Sequence, residues 1–296
     1  MNNNPKVSIP IITYNQKEYL RECIESCLAQ TYKNIEIVVA DDASTDGTQE
    51  LLKEYDKSYP GTFVLKLSEK NLGITENCNQ AHFACSGKYI AWMGGDDLML
   101  PGKLATQVSY MENNPNCTIC YHNLDVFDSD SNSTLYYFNE KNKINGNVVS
   151  SIRNGTFNGG CSTFLRTDSS PKGGFNSSLP VASDWLFWVE TLASGGTIDY
   201  IDEVLGRYRR HSNNVTNKQK HITQNELDHL NTCNIILAKY PQYSSDAIFA
   251  YSQKLLSLRD KLSYGSAMWA SFCINRNYKV FGALFIYLLS FKKIKL

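Results

Sequence analysis

Two pairs of adjacent carboxylates, Asp41-Asp42 and Asp96-Asp97, each follow a β-rich apolar run, and so does the polar triplet Thr13-Tyr14-Asn15. In open α/β sheets, ligands bind beyond the carboxyl ends of the strands. Three polar loops, two of them acidic, would therefore meet at one sheet edge. Carboxylates in a nucleotide site need specific jobs. One can accept the imide N–H of uracil or bind ribose hydroxyls. Another can hold a divalent ion that bridges a diphosphate, because Mg²⁺ and Mn²⁺ favour oxygen ligands, often one or two carboxylates plus substrate phosphates. Asp42 fits the first job and Asp97 the second. Asp41 is expected to be structural, since adjacent residues at a strand end point opposite ways. Asp46, followed by Gly47, is expected to cap the next helix.

The elements that position these residues alternate in type. Val7 to Ile12 reads as a strand, and Lys17 to Gln30 has helical spacing with Leu20, Cys23, Ile24 and Cys27 on one face. Ile35 to Ala40 is a continuous apolar run, as in a strand buried on both faces. A helix capped by Ser44 or Thr45 is expected to run to about Tyr59. A strand at Phe63 to Leu67, a helix at Ile74 to Ala84, a strand at Tyr89 to Met93 and a helix from about Leu100 to Glu112 follow. This order implies a doubly wound, mostly parallel α/β sheet. From Cys117 to about Tyr208 the pattern loosens, with short strand candidates at Thr118 to Asp125 and Ser162 to Leu165 and an aromatic helix at Trp185 to Ala193. Trp185 and Trp188 are expected to be core. From about Ile222 the chain turns helical. The expected division is 1–220, with a nucleotide-binding half (1–115) and an acceptor-binding half (116–220), then a helical region, 221–296.

Composition excludes several classes. The 296 residues carry 29 Lys+Arg and 29 Asp+Glu, so nothing electrostatic points to nucleic acid as a partner. There is no GxGxxG after the first strand and no GxxxxGK[ST], which disfavours dinucleotide binding and excludes a P-loop NTPase. A nucleotidyltransferase would need a Gly-rich loop with Arg and Lys near the N-terminus, and none is present. The 9 Cys are scattered and read as reduced, mostly buried thiols, including the lone pair Cys117/Cys120 within a strand. The N-terminal residues lack a basic region followed by a long apolar stretch, so no signal peptide is expected. Val280 to Phe291 is uncharged and is followed by Lys292, Lys293 and Lys295. Such a tail suits a helix lying on an anionic membrane face, or a last helix packed on the protein's own core.

Taken together, Val7 to Asn15, Ile37 to Thr48, Asn71-Leu72-Gly73, Gly95-Asp96-Asp97, Ser183-Asp184-Trp185 and Tyr208-Arg209-Arg210-His211 resemble the family 2 glycosyltransferases of the GT-A fold, in the family's order from about Lys6 to Val215. The resemblance implies a Rossmann-like, mostly parallel sheet flanked by helices, with a helical C-terminal extension. It implies an inverting, metal-dependent hexosyltransferase that uses Mn²⁺ or Mg²⁺ and a UDP-sugar. Thr13, Tyr14 and Asn15 would cradle the nucleotide, with Tyr14 beside the base. Asp42 would bind uracil or ribose, Asn71 would share that pocket, and Asp96 would contact ribose or donor sugar. Asp97 would ligate the metal, with His211 approaching it or the diphosphate. Asp184 would be the general base. By their charge, Arg207, Arg209 and Arg210 could grip an acceptor diphosphate or form solvated ion pairs, and one of them is expected to do the first. The implied acceptor is a saccharide linked to polyprenyl diphosphate, in polysaccharide or O-antigen assembly at the cytoplasmic membrane face, with the enzyme cytoplasmic or peripheral there.

Overall fold

The computed structural model describes residues 4–296 except 213, 215, 216, 218, 263, 291–294 and 296. Its first half follows the alternation: β1 (Val7–Thr13), α1 (Lys17–Leu28), β2 (Ile35–Asp41), α2 (Thr48–Ser58), β3 (Phe63–Leu67), α3 (Ile74–Phe83) and β4 (Tyr89–Ala91). The short strands β5 (Met93–Gly94) and β6 (Leu98–Met99) lead into α4 (Lys103–Asn113). Then come β7 (Cys117–Asp128), β8 (Thr134–Tyr137), α5 (Val148–Asn154), β9 (Phe164–Arg166), α6 (Asp184–Ala193) and β10 (Thr197–Arg210). Four α-helices follow among the described residues: α7 (Gln224–Lys239), α8 (Ser244–Ser257), α9 (Tyr264–Asn275) and α10 (Tyr278–Leu289).

One sheet runs through both halves of residues 1–220, in the order β3-β2-β1-β4-β9-β7-β10-β6. β3, β2, β1 and β4 are parallel, while β9 is antiparallel to both of its neighbours, β4 and β7. Side-chain alternation along β2 divides the core. Ile37 and Val39 pack with α1, α2 and α4, and Val38 and Ala40 with the α3, α5 and α6 side, where α7 and α8 also contribute. All four β2 residues are fully buried, as a strand covered on both faces requires.

Several expectations need correction. α2 begins at Thr48, so neither Ser44 nor Thr45 caps it. Both are spent on Asn15, whose backbone N–H donates to Ser44 Oγ (2.8 Å) and whose Oδ1 accepts the Thr45 N–H (2.8 Å). The expected role of Asp46 holds, since its Oδ1 accepts the Thr48 N–H at 3.1 Å. The loosely patterned region contains the long strand β10, which the sequence reading left out, as it did β8 and α5. In β10 register shifts against β7 fall between Ile201, Val204 and Gly206, breaking the period-two signal. Cys117 and Cys120 do lie buried in a strand, and all nine cysteines are free thiols. Trp185 and Trp188 are core residues, and Trp185 Nε1 donates to Ser151 O (2.9 Å). Of the apolar and lysine-rich tail, Phe291, Lys292 and Lys293 lie outside the described residues.

Candidate active site

Strand pairing assembles the site. β1 and β2 are in register from Val7↔Ile35 to Thr13↔Asp41, so their two end loops start side by side. β5 pairs Gly94 with Ile12, which brings Gly95-Asp96-Asp97 next to them. β6 pairs with β10 at Gly206 and Arg207, and this carries the following residues, up to His211, alongside the same acids.

Asp42 is buried, and each of its oxygens accepts one backbone N–H, from Leu72 (2.6 Å) and Gly73 (2.9 Å). The Asn71 loop is thereby bound to the end of β2, and Asn71 Oδ1 also accepts the Gly73 N–H (3.1 Å). A carboxylate oxygen has two acceptor sites, so Asp42 keeps capacity for a ligand. Tyr14 is about half exposed, at 48%. The Thr13 hydroxyl is buried without a hydrogen-bond partner among the described residues. Asn15 takes a left-handed backbone (φ 51°), and its side chain serves the loop clasp. A hollow of about 320 Å³ beside this loop is lined by Asn15, Lys17, Tyr19 and Asp46 among others. Asp41 is structural, its Oδ2 accepting from Ser44 N–H (3.0 Å) and Gln49 Nε2 (2.8 Å).

The two carboxylates of the second acidic pair have different protein partners. Asp96 Oδ2 lies 3.1 Å from His211 Nε2 and accepts from Asn214 Nδ2 (3.2 Å). Asp97 is buried, and its Oδ1 accepts the Arg209 N–H (3.0 Å). Burial, then the Asp96 charge, push the Asp97 carboxyl well above the usual carboxylate range. The His211 ring is 4.9 Å from the ring of Tyr19, which lines the hollow. His211 therefore sits against Asp96. The two carboxylates still share one space: a Cβ built on Gly94 would stand 2.8 Å from Asp96 Oδ1 and 3.1 Å from Asp97 Oδ2. Glycine leaves that space open. Among the described residues no three His, Cys, Asp or Glu side chains close round a point. The residues fit an ion that takes two protein oxygens and completes its shell from diphosphate and water. A cation there would also relieve the repulsion within the pair.

Asp184 opens α6 and is partly buried. Its Oδ1 accepts the N–H of Trp185 (2.9 Å). Desolvation raises its pKa, partly offset by that hydrogen bond and by the Lys254 ammonium of α8. Lys254 is itself partly buried, with Nζ 5.0 Å from the centre of the Trp185 ring.

Buried polar side chains on α3 and α7 join the two ends of the site. Asn77 Nδ2 donates to Ala40 O (2.9 Å) at the end of β2, with a longer contact to Thr13 O (3.4 Å). Thr75 Oγ1 donates to Leu179 O (2.5 Å) and lies 2.9 Å from Ser183 Oγ. From α7, the fully buried Asp228 accepts the N–H groups of Val181 (2.8 Å) and Ala182 (2.9 Å), directly before Asp184. Sequence reasoning missed Thr75, Asn77, Asp228, Lys254 and Asn214. For the four on helices the one signal is a polar residue within a helical period, which reads as surface until the partners are known, and Asn214, in the loop after β10, gives none. Two of the three candidate arginines have protein partners. Arg207 pairs with Asp125 (2.7 Å). Arg209 is buried, donating from Nε to Asp96 O (2.8 Å) and pairing with Glu22 (2.5 Å). Both hold the scaffold.

Comparisons with known proteins agree with this architecture. The model of the family described as Glycosyl transferase family 2 matches residues 8–170. An uncharacterized Mycobacterium tuberculosis protein is 32% identical over 213 residues, covering 71% of this chain and 60% of the relative. The aligned stretch thus spans well under two thirds of that relative's length. An uncharacterized glycosyltransferase of Methanocaldococcus jannaschii is 31% identical over 207 residues, 69% of this chain and 71% of the relative. Staphylococcus aureus TarS 1–349, solved in complex with UDP-GlcNAc, superposes with a TM-score of 0.65 at 13% identity, covering 96% of this chain and 92% of that one. A Pyrobaculum calidifontis mannosyltransferase in complex with GDP-Man and Mn²⁺ gives 0.58 at 14% identity, covering 97% of this chain and 86% of that one. At these identities the structural likeness is one of fold.

Proposed function

Because this chain belongs to glycosyl transferase family 2, we propose that it is an inverting transferase that moves a hexose or N-acetylhexosamine from a UDP-sugar to a hydroxyl of a lipid-linked saccharide, in the assembly of a surface polysaccharide such as O-antigen. One observation carries this reading. The start of α3 is hydrogen-bonded both to Asp42 at the nucleotide end, through Gly73, and to the loop that ends at Asp184, through Thr75. A nucleotide-binding carboxylate and a base are thus fixed in one frame. The TarS complexes with UDP and UDP-GlcNAc support a UDP-sugar donor. The GDP-Man and Mn²⁺ complex of the mannosyltransferase supports use of a divalent ion.

In the mechanism, Asp42 and the Thr13-Tyr14-Asn15 loop seat the nucleoside. Asp96 and Asp97 would hold Mn²⁺ or Mg²⁺, with His211 fixing the Asp96 carboxylate. The ion when bound supplies charge neutralisation for the diphosphate. Asp184 takes the proton from the acceptor hydroxyl. The acceptor oxygen bonds to the anomeric carbon from the face opposite the diphosphate, the bond from that carbon to the phosphate oxygen breaks, and UDP leaves. One displacement through an oxocarbenium-like state inverts the configuration. The raised pKa of Asp184 makes it a stronger base than an ordinary carboxylate.

The test is transfer from a panel of UDP-sugars to a polyprenyl-diphosphate-linked saccharide, read by product anomeric configuration. Inverted product that depends on Asp184 is expected. Retained configuration, or full activity in Asp184→Asn, would refute the assignment.

A further inference from the structure

The last two helices form a small unit with its own core and an uncovered face. Val280, Leu284 and Tyr287 of α10 pack with Tyr264 and Met268 of α9. On other sides α10 is apolar too. Phe281, Phe285 and Leu288 recur at i, i+4 and i+7 and remain 46%, 54% and 54% exposed. Trp269 of α9 is 55% exposed. These rings are continuous across the two helices: Trp269 to Phe272 is 5.9 Å, Phe272 to Phe281 is 4.9 Å and Phe281 to Phe285 is 6.4 Å between centroids. A contiguous apolar face of this kind marks an interaction surface. Among the described residues no helix is long and apolar enough to cross a membrane.

Charge decides what covers it. Residues 261–296 contain six Lys or Arg and no Asp or Glu, in a chain whose totals are 29 and 29. The other 260 residues are therefore acidic on balance, with 23 basic against 29 acidic. Arg276 and Lys279 are exposed between and beside the aromatic positions. A second copy of the chain would bring this positive segment against itself, which like-charge repulsion opposes. An anionic lipid surface matches both the charge and the aromatic ribbon, the combination expected of a helix lying in the headgroup region.

We propose that the α9–α10 hairpin docks on the surface of an anionic bilayer, with Trp269, Phe281 and Phe285 entering the headgroup–acyl boundary and Arg276 and Lys279 meeting lipid phosphates. The docking stands on the hairpin alone. Its use, holding the active site over a lipid-linked acceptor, rests on the transferase reading.

The experiment is sedimentation of the full chain with vesicles of phosphatidylcholine, alone or mixed with phosphatidylglycerol. Binding about tenfold or more tighter to the anionic vesicles is expected, weakened by salt. Trp92, Trp185 and Trp188 are buried, so a lipid-dependent blue shift of emission reports Trp269. The double variant Phe281→Ser/Phe285→Ser should lose vesicle binding and the blue shift. Its stabilisation by UDP with Mn²⁺ should be unchanged, which separates failure of the docking from failure of the transferase reading. Equal affinity for both vesicle types, unimpaired binding by the variant, or a wild-type dimer that the variant abolishes without any vesicle binding would each overturn the proposal.

Discussion

At Asp184, burial and a neighbouring ammonium act in opposite directions on one carboxyl, and burial dominates. Its pKa lies above the ordinary carboxylate value, so the charged form that the proposed base role requires appears only as pH rises through that higher value. The acidic limb of kcat/KM should therefore break above the range of an exposed aspartate, at about 3.9, and Lys254→Met should move the break higher still. A limb that does not respond to Lys254→Met would detach the base from this environment. Asp184→Asn should retain UDP binding and lose turnover by about 10²–10⁴-fold, the usual contribution of a general base. At the other pole, Gly94→Ala places a methyl group about 3 Å from carboxylate oxygens of both Asp96 and Asp97. Crowding of this kind costs about 1–3 kcal/mol, so Mn²⁺-dependent UDP affinity should fall about tenfold or more, as titration calorimetry would measure. Asp42, Asp96 and Asp97 were legible as candidates because acids at strand ends stand out against apolar runs, whereas Asp184 and His211 were candidates through the family resemblance alone. The pairing of His211 with Asp96 was not legible. It depends on the Arg209 backbone taking one Asp97 oxygen, which is a matter of register between β10 and the loop before β6.

Among the elements, α3 and α7 do more than cover a sheet. The buried face of α3 carries Thr75, Asn77 and Asn79, each hydrogen-bonded to backbone of a loop or strand end. Removing one such partner leaves buried backbone groups unpaired, at about 1–3 kcal/mol. Asp228→Ala should destabilise the fold by that amount in urea unfolding. It should also lower kcat while leaving UDP affinity intact, because Asp228 holds the loop before Asp184 and touches nothing at the nucleotide end. Equal loss of UDP affinity would contradict that division. The positions of α1, β2, β3 and α3 were readable to within a residue or two because their apolar periods are clean. β10 was not, since its bulges and its run of charged residues hide the alternation. Nor was the job of α7, because a buried aspartate whose partners lie 46 and 47 residues away looks like any other polar residue in a helix.

For the whole molecule, three histidines held neutral by desolvation set an acid limit, among them the fully buried His122, whose pKa burial pushes well below its ordinary value. His82 sits among Trp92, Phe175 and Phe187 rings, and His229 lies near Lys254; burial lowers each to about 4. Their unfolded value is about 6.5. The unfolded state therefore binds more protons between those limits, and the stability present above about pH 6.5 is lost as pH falls toward 4. Tm should decline across that window, and His82→Phe, which keeps a ring in the aromatic box and removes the proton site, should make the decline shallower. An unchanged slope would remove His82 from the explanation. The α/β class and the helical C-terminal region were legible from alternation and composition. The single sheet joining both halves of residues 1–220 was not, because it depends on β9 entering antiparallel between β4 and β7.

The central claim is a UDP site completed by a divalent ion at Asp96 and Asp97 and separable from the base at Asp184. The most direct test is the thermal shift given by UDP, with and without Mn²⁺, on wild type, Asp97→Ala and Asp184→Asn. Ligand at about 100 times its Kd adds about 2.7 kcal/mol. The shift should appear with wild type and Asp184→Asn only when Mn²⁺ is present, and should vanish in Asp97→Ala. A full shift in Asp97→Ala, or none in wild type with UDP and Mn²⁺ together, would contradict it.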